Sequence, residues 1–141
     1  MRLLVIHGPN MSLLGRREPE IYGHETLEEL NTWIREQPDL AYDNLIFFQS
    51  NHEGDLLDCL HAQYGKVKGA VINPGAFAHT SYALRDAIAA VDYPVVEVHL
   101  SNINKREPFR KTSLISDVCL KRICGKGKVG YLQGLKALKK V

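Results

Sequence analysis

The sequence predicts an α/β protein in which a parallel sheet lies between layers of helices. Short, continuously apolar runs, typical of strands buried on both faces, alternate with longer amphipathic stretches that indicate helices. Strands that alternate with helices are joined by right-handed crossovers, which make neighbouring strands parallel. The 141 residues are 45% hydrophobic and 24% charged, a composition that suits one globular domain. We therefore expect a single domain over residues 1–141.

The first predicted strand leads into an unusually long polar segment. Residues 3–6 read LLVI and predict a buried strand, and the segment that follows reads HGPNMSLLGRREPEIYG. Loops of this length in compact domains are mostly binding or catalytic segments. A helix is predicted next, because Thr26 and Glu29 form a capping box ahead of apolar residues at helical spacing, namely Leu27, Leu30, Trp33 and Ile34.

The rest of the chain repeats this alternation. Further strands are predicted at residues 45–48, 69–73 and 94–100, with a less apolar fifth at residues 120–124. Further helices are predicted at residues 54–64, 82–90 and 130–138. The resulting order of strands and helices is that of an open parallel sheet covered on both faces.

Composition excludes several classes of protein. The net charge is +2, from 18 basic and 16 acidic residues, so nothing indicates a nucleic-acid partner. No apolar run is long enough for a membrane helix, and the N-terminus lacks the apolar region of a signal peptide. The three cysteines are odd in number and lack metal-ligand spacing, which is typical of reduced thiols. We expect a cytoplasmic protein without a membrane association.

Two patterns resemble ligand motifs but lack the required context. GKGKVG, at residues 125–130, matches G-x-G-x-x-G, yet too little chain follows for the further strand and acidic residue of a dinucleotide site. We interpret it as a tight turn between the fifth strand and the last helix. HEGDLLDCLH, at residues 52–61, is not an H-E-x-x-H motif, and acidic residues are expected at a helix start. We predict no metal site.

Polar residues follow the predicted strands, where ligands bind in open parallel sheets. We expect the loops after the first four strands to converge at one edge. The combination includes a candidate base, a candidate acid with a carboxylate two residues earlier on the same strand face, and several donors for an anion. The candidates are Asn10, Arg16, Arg17, Tyr22, Asn73, His79, Glu97, His99, Ser101, Arg106 and Arg110.

Over nearly its whole length the chain resembles the type II 3-dehydroquinate dehydratases. The matching motifs are HGPNMSLLGRREPEIYG, QSNHEGDLLDCLH, VINPGAFAHTSYALRDA, VVEVHLSNINKREPFRKTS and GYLQGLKAL. The resemblance implies a flavodoxin-like three-layer sandwich with a five-stranded parallel sheet, assembled as a homododecamer built from trimers. It implies dehydration of 3-dehydroquinate to 3-dehydroshikimate by anti elimination through an enolate, without cofactor or metal. That reaction serves either aromatic biosynthesis in the shikimate pathway or quinate breakdown.

The resemblance also implies catalytic roles. Tyr22 matches the base, which acts as a tyrosinate; an ordinary tyrosine has a pKa of about 10, so a nearby cation must favour the anion. Arg17 matches the arginine that supplies this charge. Asn10 matches the residue that positions a water against the enolate. His99 matches the general acid, with Glu97 holding its ring.

Substrate-binding positions follow from the same resemblance. Asn73, Ser101 and the backbone at Leu100 match positions that bind the substrate carboxylate. His79 and Arg110 match those that bind its ring hydroxyls.

One further position, and a few departures, concern assembly and the first loop. Asp86 resembles a residue that reaches the site of a neighbouring subunit. The loop carries Met11 and Ser12 where relatives commonly have Leu and Asn, and the fifth-strand region is unusually charged.

The main alternative function is that of a non-catalytic protein that binds a polyhydroxylated carboxylate. The presence of Tyr22, Arg17 and His99 together argues against it. An α/β hydrolase lacks support, because no serine lies in a G-x-S-x-G elbow.

Overall fold

The computed structural model describes all residues, 1–141, and has one five-stranded sheet. All strands are parallel, in the order β2-β1-β3-β4-β5. The order reverses between β1 and β3, which is where open α/β sheets place their ligands. The strands are β1 (Arg2–His7), β2 (Asn44–Gln49), β3 (Gly69–Asn73), β4 (Val95–His99) and β5 (Lys121–Cys124).

Helices cover both faces of the sheet. They are α1 (Pro19–Tyr22), α2 (Leu27–Arg35), α3 (Glu53–Ala62), α4 (Tyr82–Ala90) and α5 (Val129–Leu138). Helices α2 and α5 pack on one face, and α3 and α4 pack on the other. This is the α/β three-layer arrangement that the sequence predicted, and the five-stranded parallel sheet is confirmed. No helix combines the length and the apolar composition that crossing a lipid bilayer requires.

Two apolar cores result from the alternation of side chains along the strands. In β1, Leu3 and Val5 point to the face covered by α2 and α5, whereas Leu4 and Ile6 point to the opposite face. All four side chains are fully buried. Because both faces are covered, the central strands are continuous apolar runs, which is the pattern seen in the sequence.

Local capping fixes where two of the helices begin. Thr26 accepts the backbone N–H of Glu29 at 3.2 Å, and the Glu29 carboxylate accepts the Thr26 N–H at 3.2 Å, so the predicted capping box is formed. Ser81 accepts the Leu84 N–H at 2.8 Å at the start of α4. The GKGKVG segment is the predicted turn, with positive φ at Gly125 and Gly127, and it leads directly into α5.

Two features differ from the sequence-based prediction. The side chains of β2 are only partly buried, not buried on both faces, because β2 lies at the edge of the sheet. The long loop after β1 contains the single-turn helix α1, which was not predicted. This helix begins after Glu18, whose backbone is left-handed with φ 40°, and it ends at Gly23 with φ 83°. A four-residue helix is too short to show a helical period.

Candidate active site

A pocket of about 200 Å³ lies at the carboxyl edge of β1, β3 and β4. The loops from β1 and β3 approach closely here, because Gly8 donates its N–H to the Asn73 carbonyl at 2.8 Å. A Cβ on Gly8 would lie 2.8 Å from that oxygen, so only glycine permits the approach. Of the candidate residues, Arg16, Asp86 and Glu97 do not line the pocket. Those that do are Asn10, Arg17, Tyr22, Asn73, His79, His99, Leu100, Ser101, Arg106 and Arg110.

Tyr22 lies between two guanidinium groups. Arg106 donates from Nη1 to the Tyr22 hydroxyl, and its Cζ lies 5.3 Å from the centre of the ring. Arg17 Cζ lies 4.9 Å from the same ring centre. The Glu18 carboxylate lies 3.6 Å from Arg17 and 3.7 Å from Arg106, so it holds both cations near the phenol. The family resemblance assigned only Arg17 to Tyr22, but the direct hydrogen bond comes from Arg106.

His99 and Glu97 form a buried pair at the end of β4. Their side chains point to the same face because they are two residues apart on a strand, and His99 Nε2 lies 2.6 Å from Glu97 Oε2. Glu97 has no exposed surface. Burial alone would raise the pKa of the Glu97 carboxyl, but the hydrogen bond and the charge of His99, together with two serine hydroxyls, hold that pKa below its ordinary value. Glu97 is therefore ionised and accepts a hydrogen bond from the His99 Nε2–H.

The serine hydroxyls belong to two residues that were not among the candidates from the sequence, although Ser113 ends the motif VVEVHLSNINKREPFRKTS. Ser113 Oγ lies 2.9 Å and 3.0 Å from the two Glu97 oxygens, and Ser116 Oγ lies 2.7 Å from Oε1. They come from the connection between β4 and β5. No spacing in the sequence relates them to Glu97, because the contact depends on how this connection crosses the sheet.

Asn73 and Asn10 stand on the side of the pocket next to β1. Asn73 ends β3 and is buried, and its Oδ1 accepts the Gly75 N–H at 3.2 Å. Its Nδ2 lies 3.5 Å from Met11 Sδ, so the departure at Met11 contacts a candidate binding residue. Asn10 has a left-handed backbone with φ 69°, and its N–H donates to Asn51 Oδ1 at 3.0 Å.

His79 and Arg110 line the pocket from two short helical turns, at residues 75–79 and 108–111. His79 Nδ1 lies 2.7 Å from the Thr112 carbonyl and therefore carries a proton, which leaves Nε2 as the second polar atom of the ring. The His79 ring is stacked on His99 with 6.4 Å between ring centres. Arg110 Nε donates to the Glu107 carboxylate, so its guanidinium is anchored from outside the pocket.

A buried polar chain lies behind Asn73. His7, the last residue of β1, has no exposed surface; its Nε2 lies 2.7 Å from Asn31 Oδ1 and its Nδ1 lies 3.1 Å from the Tyr131 hydroxyl. Burial lowers the pKa of His7 to about 4, although the Asn31 hydrogen bond opposes this. Neutral His7 thus donates to Asn31 and accepts from Tyr131. Burial also raises the pKa of Tyr131, which keeps its hydroxyl protonated.

Arg16, Asp86 and the loop after β2 lie outside the pocket. Asp86 is exposed on α4 and does not line the pocket. The loop after β2 contributes no lining residue, contrary to the expectation that four loops converge; it acts through Asn51, which holds the backbone of Asn10. No three His, Cys, Asp or Glu side chains are grouped so that they could hold a metal ion.

The pocket and the fold can be compared with known proteins. Residues 1–139 match the family described as Dehydroquinase class II. A 3-dehydroquinate dehydratase from Halothermothrix orenii is 52% identical over 97% of this chain and 93% of its own length.

Solved structures agree with the sequence match. A type II dehydroquinase from Butyrivibrio crossotus has a TM-score of 0.95 and 44% identity, with 99% of this chain and 97% of that chain covered. A type II dehydroquinase from Propionibacterium acnes has a TM-score of 0.94 and 35% identity over the same shares. From the pocket, the fold and these relatives together, we conclude that the chain belongs to the dehydroquinase class II family.

Proposed function

We propose that the protein dehydrates 3-dehydroquinate to 3-dehydroshikimate by anti elimination through an enolate. One observation carries the proposal: the pocket brings a phenol flanked by two guanidinium groups together with a histidine held by a buried carboxylate. A base and an acid are what this elimination requires, because a proton leaves one carbon and hydroxide leaves its neighbour. Family membership supports the substrate, since the related enzymes are named 3-dehydroquinate dehydratase.

Tyr22 is the base in this proposal. Its phenolate takes the proton from the carbon next to the substrate ketone, and the electron pair of that C–H bond becomes the enolate. Two cations beside the phenol stabilise its anionic form. Arg106 acts directly at the oxygen and Arg17 acts across the ring. Asn10, exposed at the mouth of the pocket, holds a water against the enolate oxygen.

His99 is the acid in the second step. The enolate re-forms the ketone, a carbon–carbon double bond forms, and the departing oxygen takes a proton from His99 to leave as water. His99 Nε2 is engaged by Glu97, so Nδ1 is the nitrogen that remains for proton transfer. The negative charge of Glu97 stabilises the imidazolium that donates this proton.

The remaining lining residues bind the substrate. Asn73, Ser101 and the backbone at Leu100 bind its carboxylate, and His79 and Arg110 bind its ring hydroxyls. The arrangement is consistent with these roles, because all five residues line one pocket. The first three lie at the ends of β3 and β4, and the other two come from the segments that follow those strands. No step requires a cofactor or a metal.

Assembly is part of the proposal. Asp86 is exposed on α4 and outside the pocket of its own chain, which suits a residue that completes a neighbouring subunit's site. The half-exposed edge strand β2 provides further apolar surface for contacts between subunits. We propose a homododecamer built from trimers, located in the cytoplasm.

A direct assay tests the reaction. Purified protein is mixed with 3-dehydroquinate, and the absorbance of the conjugated enone product is followed over a range of pH. A rise in absorbance that depends on protein concentration supports the proposal. A flat trace at every pH, with heat released on substrate binding in a calorimeter, would instead identify a non-catalytic binding protein.

A further inference from the structure

The Glu97 carboxylate has more hydrogen-bond donors than its contact with His99 provides. Ser113 lies 2.9 Å from the same oxygen that faces His99, and Ser116 lies 2.7 Å from the other oxygen. Glu97 is fully buried and ionised, so each of its oxygens needs a donor from the protein. The two serines supply the donors that His99 does not.

The geometry fixes the direction of the Ser113 hydroxyl. Its oxygen accepts the backbone N–H of Ile115 at 3.3 Å, while its own proton is directed to Glu97. Because an ionised carboxylate can only accept, His99 Nε2 must also donate to it. The tautomer of His99 is thereby set, and a change in how Glu97 is held changes how the imidazole is held.

The segment that carries the serines is anchored from outside the site. The Leu114 N–H donates to the Ala78 carbonyl at 2.7 Å, and Arg85 of α4 donates to the Leu114 carbonyl at 2.9 Å. Arg85 also forms an ion pair with Asp117. These contacts join the turn to α4 and to Ala78, so the serine hydroxyls are held against Glu97 from outside the site.

We propose that Ser113 and Ser116 are positioning residues, which hold the Glu97 carboxylate and, through it, the His99 imidazole for proton donation. The inference rests on the proposed function, because it assigns to His99 the role of acid. Neither serine lines the pocket, so both act through Glu97 and not on the substrate.

The pH dependence of turnover follows from the charges around Glu97. The serine hydrogen bonds help to keep the pKa of Glu97 low, so their removal lets Glu97 take a proton at a higher pH. The titratable and charged neighbours are His99 on the same strand and Cys119, Arg122 and Cys124 from the β5 side. Burial raises the pKa of Cys119 to about 12, and burial also raises that of Cys124, so both thiols are neutral here.

Alanine and threonine variants at both positions test the proposal. We expect Ser116→Ala and Ser113→Ala each to lower kcat roughly tenfold or more, as loss of a hydrogen bond to a charged group predicts. KM should change by less than about threefold, because the substrate contacts are intact. The pH at which kcat falls on the acid side should rise. Threonine keeps the hydroxyl and should restore most of the lost kcat.

A second measurement does not depend on turnover. The His99 Nε2 proton, which is donated to a carboxylate at 2.6 Å, should give a strongly downfield resonance in the NMR spectrum of the substrate-free protein. We expect this resonance to shift in the alanine variants and to return in the threonine variants. A wild-type protein without activity would refute the proposed function. The NMR spectrum tests the serine contacts separately, because it does not depend on turnover.

Ser50→Ala is the matched control. Ser50 is buried, donates to the Asp55 carboxylate at 2.7 Å and accepts the His52 N–H at 3.0 Å, so it has the same local arrangement away from Glu97. The Ser50→Ala variant should keep the wild-type fall of kcat on the acid side and the wild-type His99 resonance. The proposal would be overturned by a double Ser113→Ala, Ser116→Ala variant that keeps the wild-type kcat, the wild-type fall of kcat on the acid side and the wild-type His99 resonance. Alanine losses that threonine fails to restore would overturn it as well.

Discussion

Acidification should destabilise the fold through His7. The folded state keeps this buried ring neutral down to about pH 4, whereas in the unfolded chain its pKa has the ordinary value of 6.5. As the pH falls between these values, the unfolded chain binds a proton that the folded protein cannot, so folding becomes less favourable by about 1.4 kcal/mol per pH unit. The stability contributed by neutral His7 is complete above pH 6.5 and is lost as the pH falls towards 4. The full loss is about 3 kcal/mol.

The assay compares wild type with His7→Gln. An amide can donate to Asn31 and accept from Tyr131, as His7 does, but it does not titrate. The free energy of unfolding is measured by urea titration from about pH 7 to about pH 4.5, with the fluorescence of the single tryptophan, Trp33, as the signal. The protein concentration is kept constant, because the stability of an oligomer depends on it.

The difference between the two proteins isolates His7. Carboxylates with lowered pKa values, such as Glu97 and Asp43, also lose stabilising contacts in acid, but they do so equally in both proteins. We expect the wild type to lose about 2 to 3 kcal/mol more than His7→Gln over this range. The exposed His61 provides the control, since His61→Gln should keep the wild-type slope. Parallel curves for wild type and His7→Gln would refute the reasoning.

Three further predictions concern the site and its assembly. Tyr22→Phe keeps the ring but removes the ionisable oxygen, so kcat should fall by about 10²–10⁴-fold with a modest change in KM; a variant with most of its kcat would remove Tyr22 as the base. Arg17→Ala and Arg106→Ala should each lower kcat, and the loss should be larger for Arg106, which touches the hydroxyl; wild-type kcat in both variants would contradict this. Sedimentation should show an oligomer built from trimers, and Asp86→Ala should lower activity without unfolding the subunit; a fully active monomer would exclude a contribution from a neighbouring chain.

Elements with a clear local pattern were predicted accurately from the sequence. Strand β3 and helix α4 have the predicted bounds, and the capping box at Thr26 is formed. These features depend on residues close together in the chain. The partial exposure of β2 was missed, because a strand's position at the edge depends on the order of all five strands, and α1 was missed because one turn has no period.

The same distinction applies to the site. The hydrogen bond between Glu97 and His99 follows from alternation along one strand. By contrast, Arg106 was among the candidates, but it is separated from Tyr22 by 84 positions, so its hydrogen bond to the phenol could not be predicted from spacing. Ser113, Ser116 and the buried His7 likewise acquire their partners only through the tertiary fold.

The proposed acid and base rest on parts of the backbone that differ greatly in resistance to local opening. His99 ends a strand that is paired on both sides within the sheet, whereas Tyr22 ends a single helical turn between two residues with left-handed backbone. Short segments with few buried contacts open at a small fraction of the global unfolding free energy. Mild heating or low urea should therefore displace the base while the acid stays in place. Catalysis would be lost while the sheet and its two cores were still intact, so turnover would report partial opening well before the tryptophan signal did.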